Sequence, residues 1–124
     1  MYHAYYAYYI RSPGYPSCYP NNMSCTWLCE APAGYYVGFD VYAFNLEYGG
    51  SSCPYDFLEI RDGSTSSSPL ITRSCGSLHY MQMYSTGRML FIRFRSDGKT
   101  RMTGFQAYCY ALSNSKRDFL VSLT

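Results

Sequence analysis

The chain is predicted to be an all-β sandwich or jelly roll, and three observations carry that expectation. Short segments of alternating apolar and polar residues recur along it, each bounded by Gly, Pro, Asn, Asp or Ser. No segment carries a helical period of apolar residues. Six cysteines in 124 residues add a disulfide framework, which suits a small domain from an oxidising compartment.

The first ten residues, Met1 to Ile10, are aromatic, lack acids and turn residues, and favour a strand. Such a segment is either the first strand of its own sheet, the plainer reading, or a donor arm that adds to a neighbouring molecule. Tyr2, Tyr5, Tyr6, Tyr8 and Tyr9 would carry any such self-association, because Tyr is an amphipathic contact residue of low entropic cost. Ser12–Pro16 and Tyr19–Asn22 are rich in Pro, Gly and Asn and cannot be central strand, since Pro lacks the ladder donor.

Cys25–Cys29 is expected to be a short strand with Cys25, Trp27 and Cys29 on one face. Val37 to Glu47 is the next strand. Its inward set moves from Val37, Phe39 and Val41 to Phe44 and Leu46, which predicts a bulge between them. Phe57–Ile60 reads as a strand with one buried face, closed by a turn at Asp62-Gly63. Asp56 stands at the entrance to that strand, close to Cys53, where a side chain can reach a metal or a partner. Ser64–Pro69 is a serine-rich loop, and Leu70-Ile71 begins a strand that closes on Cys75-Gly76. Met89–Arg95 alternates cleanly, Ser96-Asp97-Gly98 turns, and Gly104–Tyr110 supplies the last strand, with Phe105, Ala107 and Cys109 on one face.

Composition excludes several classes of function. At 14.2 kDa the chain is one domain able to bury roughly two thirds of its unfolded surface. Aromatic residues at 19% and charged residues at 15% exclude an intrinsically disordered chain. A net charge of +2 is too small to make nucleic acid or an anionic membrane the main partner. No stretch approaches the about 20 apolar residues of a membrane span. No charged region followed by an apolar one opens the chain, which therefore reads as a mature fragment or excised module with Met1 as an added start. Asn22-Met23-Ser24 is an N-glycosylation sequon, with Asn22 as the acceptor.

Catalysis is not expected: His3 and His79 have no nucleophile or acid context, and no phosphate-binding loop or nucleophile elbow occurs. Arg88, Arg93, Arg95, Lys99 and Arg101 cluster late in the chain. Arg93 and Arg95 share the outer face of one strand, as a solvated face that opposes edge pairing or as a patch for a sulfated glycan or acidic partner.

An ordered set of motifs resembles the CUB domain family. It comprises Ile10-x-Ser12-Pro13-Gly14-Tyr15-Pro16, Tyr19-Pro20, Cys25-x-Trp27, Phe39 with Phe44 and Glu47, Cys53-x-Tyr55-Asp56, Cys75-Gly76, Phe94-x-Ser96-Asp97 and Gly104-Phe105. The match runs from about residue 10 to 112, leaving 1–9 as an arm or edge strand and 113–124 as a tail or linker. The resemblance implies a jelly-roll sandwich of two antiparallel sheets, disulfide-stabilised. It further implies a secreted or extracellular interaction module that is usually one unit of a larger protein.

Many members of that family bind Ca²⁺, and the resemblance places the ligand set on Glu47, Asp56 and Asp97, with Tyr19 beside them. In the family the tyrosine orients the acids through its hydroxyl and lies on the ligand surface, and the acids often also receive a basic side chain of the partner. Ca²⁺ takes about 6–8 oxygens, so three carboxylates and a backbone carbonyl near Gly98 suit it. Three ordinary solvated loop acids are the alternative.

The family pairing implies Cys53–Cys75. Its other pair begins at an N-terminal cysteine, which is missing before Ile10, so Cys18 becomes the expected partner of Cys25. Cys29 and Cys109 remain, each on an inward strand face, and their bridge is expected provided their Cα atoms lie within about 7 Å. Free thiols and zinc ligation are the other options, zinc lacking a matching ligand set. The leading functional expectation is a non-catalytic, calcium-dependent protein–protein interaction module. The alternatives are a self-assembling structural domain using the tyrosine arm and a carbohydrate- or sulfated-glycan-binding adhesion domain.

Overall fold

The computed structural model describes residues 2–4, 7–78, 80–98 and 102–113. The strands, in chain order, are β1 (Tyr2–Ala4), β2 (Ala7–Arg11), β3 (Ser24–Glu30), β4 (Tyr35–Asn45) and β5 (Phe57–Asp62), followed by β6 (Leu70–Ser74), β7 (Ser77–Leu78), β8 (Met81–Tyr84), β9 (Met89–Arg95) and β10 (Gly104–Ser113). One sheet runs β1-β3-β9-β5-β6 and the other β2-β10-β4-β7, with β8 also paired to β4. All described pairings are antiparallel except β1 with β3. The sandwich expected from alternation is therefore present.

The core lies between the sheets and follows the period-two rule. Leu58, Ile60, Leu90, Ile92 and Phe94 come from one sheet, and Ile10, Phe39, Val41, Phe105 and Ala107 from the other, all 1% exposed or less. Trp27 packs edge-to-face on Phe105 at 5.9 Å, and Phe94 tilts against Phe105 at 5.5 Å, joining the two layers. The expected bulge is present: β10 pairs Gln106 with Ala43 but Ala107 with Val41, so Tyr42 is the extra residue. That single insertion lets Val41 and Phe44 both face inward.

Cys29–Cys109 is a disulfide with Cα atoms 6.5 Å apart, and it ties β3 of one sheet to β10 of the other. Cys53–Cys75 is the second, staple of the loop before β5 to the end of β6. Cys18 and Cys25 are not joined, contrary to expectation. Cys25 sits on β3 with its side chain packed against the core, whereas Cys18 is exposed, so the two thiols occupy different environments. Burial raises the Cys25 thiol above its ordinary pKa.

The strand Phe57–Ile60 was expected to bury one face and buries both. Glu59 is fully buried on the face opposite Leu58 and Ile60, because three arginines cover it. β7 and β8 were not foreseen. β8 reads Met81-Gln-Met-Tyr84, and the methionines that pack on the core carry no strand preference of their own.

Candidate metal centre

The site is built at one end of the sandwich from four connections. Asp56 immediately precedes β5 and Asp97 follows β9; because these strands are antiparallel neighbours, the two residues emerge side by side. Glu47 follows β4, where Leu46, 1% exposed, is anchored by its N–H on the Gly76 carbonyl at 2.9 Å. Tyr19 comes from the Pro-rich loop after β2, its N–H bonded to the Met102 carbonyl at 3.0 Å.

Ser96 holds two of these loops together. Its Oγ accepts from the Met23 N–H at 2.9 Å and donates to the Pro20 carbonyl at 2.8 Å, while its N–H bonds the Met23 carbonyl at 3.0 Å. Gly104 permits the approach on the other side. A Cβ there would lie 1.8 Å from Ser12 Oγ and 3.3 Å from the Tyr19 ring, and its φ of +92° favours glycine.

Asp56 is the centre of the cluster. It is fully buried, and both carboxylate oxygens are held: the Tyr19 hydroxyl donates to Oδ2, and the Asp97 N–H donates to Oδ1 at 2.8 Å. The same Tyr19 hydroxyl accepts from the Glu47 N–H at 3.2 Å. Carboxylate oxygens of Glu47, Asp56 and Asp97 lie within 4.8 Å of one another. Burial pushes the Asp56 carboxyl above its ordinary pKa, the nearby Asp97 charge adds to this, and the bonds from Tyr19 and the Asp97 N–H oppose it. Tyr19 is raised by burial and by its bond to Asp56.

This donor set fits Ca²⁺. Two oxygens bound to one ion at about 2.4 Å cannot be more than about 4.8 Å apart, and the three acids meet that limit. The likeness to the family implies that Tyr19 lies on the ligand surface; its ring is instead fully buried and packs edge-on against Phe94 at 5.1 Å. Its hydroxyl alone reaches the acids. Beside them a cleft of about 660 Å³ is lined by Asn22, Tyr55, Phe57, Arg95, Ser96 and Asp97 among others.

A CUB domain family model matches residues 4–109. The chain belongs to the CUB domain family. It is 38% identical over 97 residues to cubilin of Canis lupus familiaris, covering 78% of this chain and 3% of that protein. It is 41% identical over 97 residues to bone morphogenetic protein 1 of Xenopus laevis, covering 78% of this chain and 14% of that protein. The chain thus spans only a small part of the curated relatives it matches. Among solved structures, the CUB1-EGF-CUB2 domains of rat MASP-1 superpose with a TM-score of 0.80 at 27% identity, covering 89% of this chain and 42% of that one. The MASP-1 CUB2 domain bound to Ca²⁺ shares the fold, with a TM-score of 0.73 at 24% identity, covering 86% of this chain and 96% of that one. CUB domains are non-catalytic modules that mediate protein–protein interactions.

Within this CUB domain the other expected features fall as follows. Tyr2 lies on β1 and Tyr8 and Tyr9 on β2, paired through their backbones to β3 and β10, so the segment expected as one strand holds two, one in each sheet of this chain. A donor arm would first have to vacate those pairings. Tyr5, Tyr6, His79, Lys99, Arg101 and the tail 114–124 lie outside the described residues. Asn22 is exposed, with φ 57°, and its N–H bonds the Asp97 carbonyl at 2.8 Å, so the sequon sits against the loop that carries Asp97.

Two features escaped sequence reasoning. Glu59 accepts from Arg73 Nη2 at 2.7 Å and from Arg61 Nε at 3.2 Å. Burial alone would raise its carboxyl, but the bonds from Arg73 and Arg61 outweigh this and hold it below the ordinary range. On the other sheet, tyrosines gather on one outer face: Tyr9 with Tyr108 at 4.9 Å, Tyr108 stacked on Tyr110 at 5.7 Å, and Tyr42 with Tyr80 at 6.0 Å. Asp40, 9% exposed, lies beneath them and accepts the Tyr110 hydroxyl at 2.8 Å. The tyrosine excess was the available signal, but only strand register shows that these rings share a face.

Proposed function

We propose that this CUB domain is an extracellular, calcium-dependent protein-binding module whose ion is held by Glu47, Asp56 and Asp97. The observation that carries this reading is the meeting of three carboxylates from three separate connections, one of them fully buried. Clustered acids repel one another, and one divalent ion offsets that repulsion. Asp56 is the inner ligand, oriented by Tyr19; Glu47 and Asp97, half-buried, form the rim that faces a partner. A carbonyl near Gly98 completes the set. Bound Ca²⁺ supplies a fixed positive charge that orders the loops after β4 and β9, leaving the outward carboxylate oxygens for a basic side chain of the partner.

Calorimetric Ca²⁺ titration of the domain and of Asp97→Asn tests the ion, and binding to lysine-bearing peptides with Ca²⁺ or chelator tests the coupling. Binding of both by the parent chain, and of neither by the variant, is expected. Ca²⁺ binding that survives Asp97→Asn, or peptide binding that survives chelator, would refute the respective half.

A further inference from the structure

We propose that the outer face of β5, β6 and β9 is a separate binding surface for a sulfated glycan, with Arg93 and Arg95 as its primary contacts. Strand register puts the groups in rows. Glu59 lies between Arg93 on β9 and Arg73 on β6, Phe57 lies opposite Arg95, and Arg61 is two residues beyond Glu59. Alternate residues on one strand face repeat at about 6.6–6.8 Å, so the guanidiniums form a stripe rather than a point.

Glu59 preorganises this stripe. Arg73 donates to it through Nε at 3.2 Å and Nη2 at 2.7 Å, Arg61 through Nε at 3.2 Å and Nη2 at 3.3 Å, and Arg93 Nε stands 3.7 Å away. Arg61 Nη1 is also fixed on the Ser68 carbonyl at 2.9 Å. Arg73 and Arg93 further lie over the Phe57 ring, at 4.3 and 5.5 Å from its centroid. One carboxylate offsets one of the four guanidiniums, which leaves three positive charges on this face. Arg93 makes no hydrogen bond to a described residue, and Arg95 is exposed. Arg95 can offer its fork to an oxyanion, and Arg93, whose Nε is buried against Glu59, adds the part of its side chain that stays exposed, 29%.

The physical character of the face selects the partner. Protein interfaces are anchored by Trp, Tyr and Arg side chains packed in fully desolvated pockets. Here Phe57, Phe91 and Leu28 are buried, at 6%, 4% and 6% exposure, and the exposed apolar residues are Leu70 and Ile71 on the β6 edge and Tyr55 in the cleft beside Arg95. A surface this rich in guanidiniums, with Phe57, Phe91 and Leu28 covered, suits an extended polyanion, which needs charge at intervals. Sulfate groups remain ionised at all relevant pH. The surface borders the acidic cluster where Arg95 and Asp97 line one cleft, but none of its arginines belongs to that cluster.

The test is surface plasmon resonance of the full chain on immobilised heparin, with desulfated heparin and polyglutamate as parallel surfaces. Binding to heparin that weakens with salt and persists in chelator is expected, with none to desulfated heparin and much less to polyglutamate. Arg95→Gln, which touches an exposed residue, and the Arg93→Gln/Arg95→Gln pair should weaken binding, the pair by roughly tenfold or more. Equal melting temperatures for Arg95→Gln and the parent would exclude a folding defect. Unchanged heparin affinity in the double variant, equal binding to desulfated heparin, or equal binding to polyglutamate, which marks an acidic protein as the partner, would each overturn the proposal.

Discussion

Replacing Glu59 with glutamine keeps the side chain's volume and removes its charge, so the variant isolates the electrostatic contribution of the buried carboxylate. Glu59 is fully buried and accepts hydrogen bonds from two guanidiniums, with a third at 3.7 Å. A net hydrogen bond to a charged group contributes roughly 1.5–3 kcal/mol, whereas breaking a fully buried pair costs about 3–5 kcal/mol. The arginine side chains are 20% to 36% exposed, so water recovers part of the loss. The expected cost is therefore about 2 kcal/mol at pH 7. For a chain of this size that lowers the melting temperature by about 6–8 °C.

The pH dependence gives a sharper criterion. The folded Glu59 carboxyl lies below its ordinary value of 4.5, so the folded state binds its proton less readily than the unfolded chain does. Its stabilisation is present above pH about 4.5 and disappears as pH falls through the folded pKa. Protonated Glu59 then resembles glutamine, and the two proteins should converge in stability. Urea unfolding of both chains in chelator, at pH 7 and at successively lower pH, measures the gap. A difference below about 0.5 kcal/mol at pH 7, or one that persists undiminished in acid, would refute the reasoning.

Three further outcomes follow from the same structure. Removing Cys29–Cys109, which spans 80 residues, should destabilise the domain by about 4.5 kcal/mol in the chain-entropy model, readable as a drop in the urea midpoint. Native-state alkylation with mass spectrometry should label Cys18 promptly and Cys25 slowly, since one is exposed and the other is half-buried with a raised thiol pKa; equal rates would contradict the placement. Tyr110 is held above the ordinary phenol range by burial and by its bond to Asp40. Asp40→Asn should move Tyr110 and Tyr80, both bonded to Asp40, down toward the ordinary range in an ultraviolet pH titration, at a stability cost of about 1 kcal/mol.

The identity of the strands and their inward faces was legible in the residues themselves, because alternation over a few positions is a local property. Val37, Phe39 and Val41 followed by Phe44 and Leu46 marked a bulge between Val41 and Phe44, and the register places its extra residue at Tyr42. Cys29 and Cys109 could be paired for the same reason, each standing on an apolar face. The acids Glu47, Asp56 and Asp97 were reachable only through the ordered family motifs, since nothing local brings residues so distant in sequence together.

Tertiary structure decided what local pattern cannot encode. Whether Glu59 is solvated or buried depends on Arg73 and Arg93, which reach it from neighbouring strands. Whether Cys18 meets Cys25 depends on how a loop and a strand pack, and the two remain free thiols, one exposed and one half-buried. Whether the tyrosines are scattered or gathered depends on which strands pair with β10. Alternation is written within a strand and can be read one segment at a time. Register, and the long-range contacts that bury a charge or gather three acids, exist only once segments from opposite ends of the chain have met.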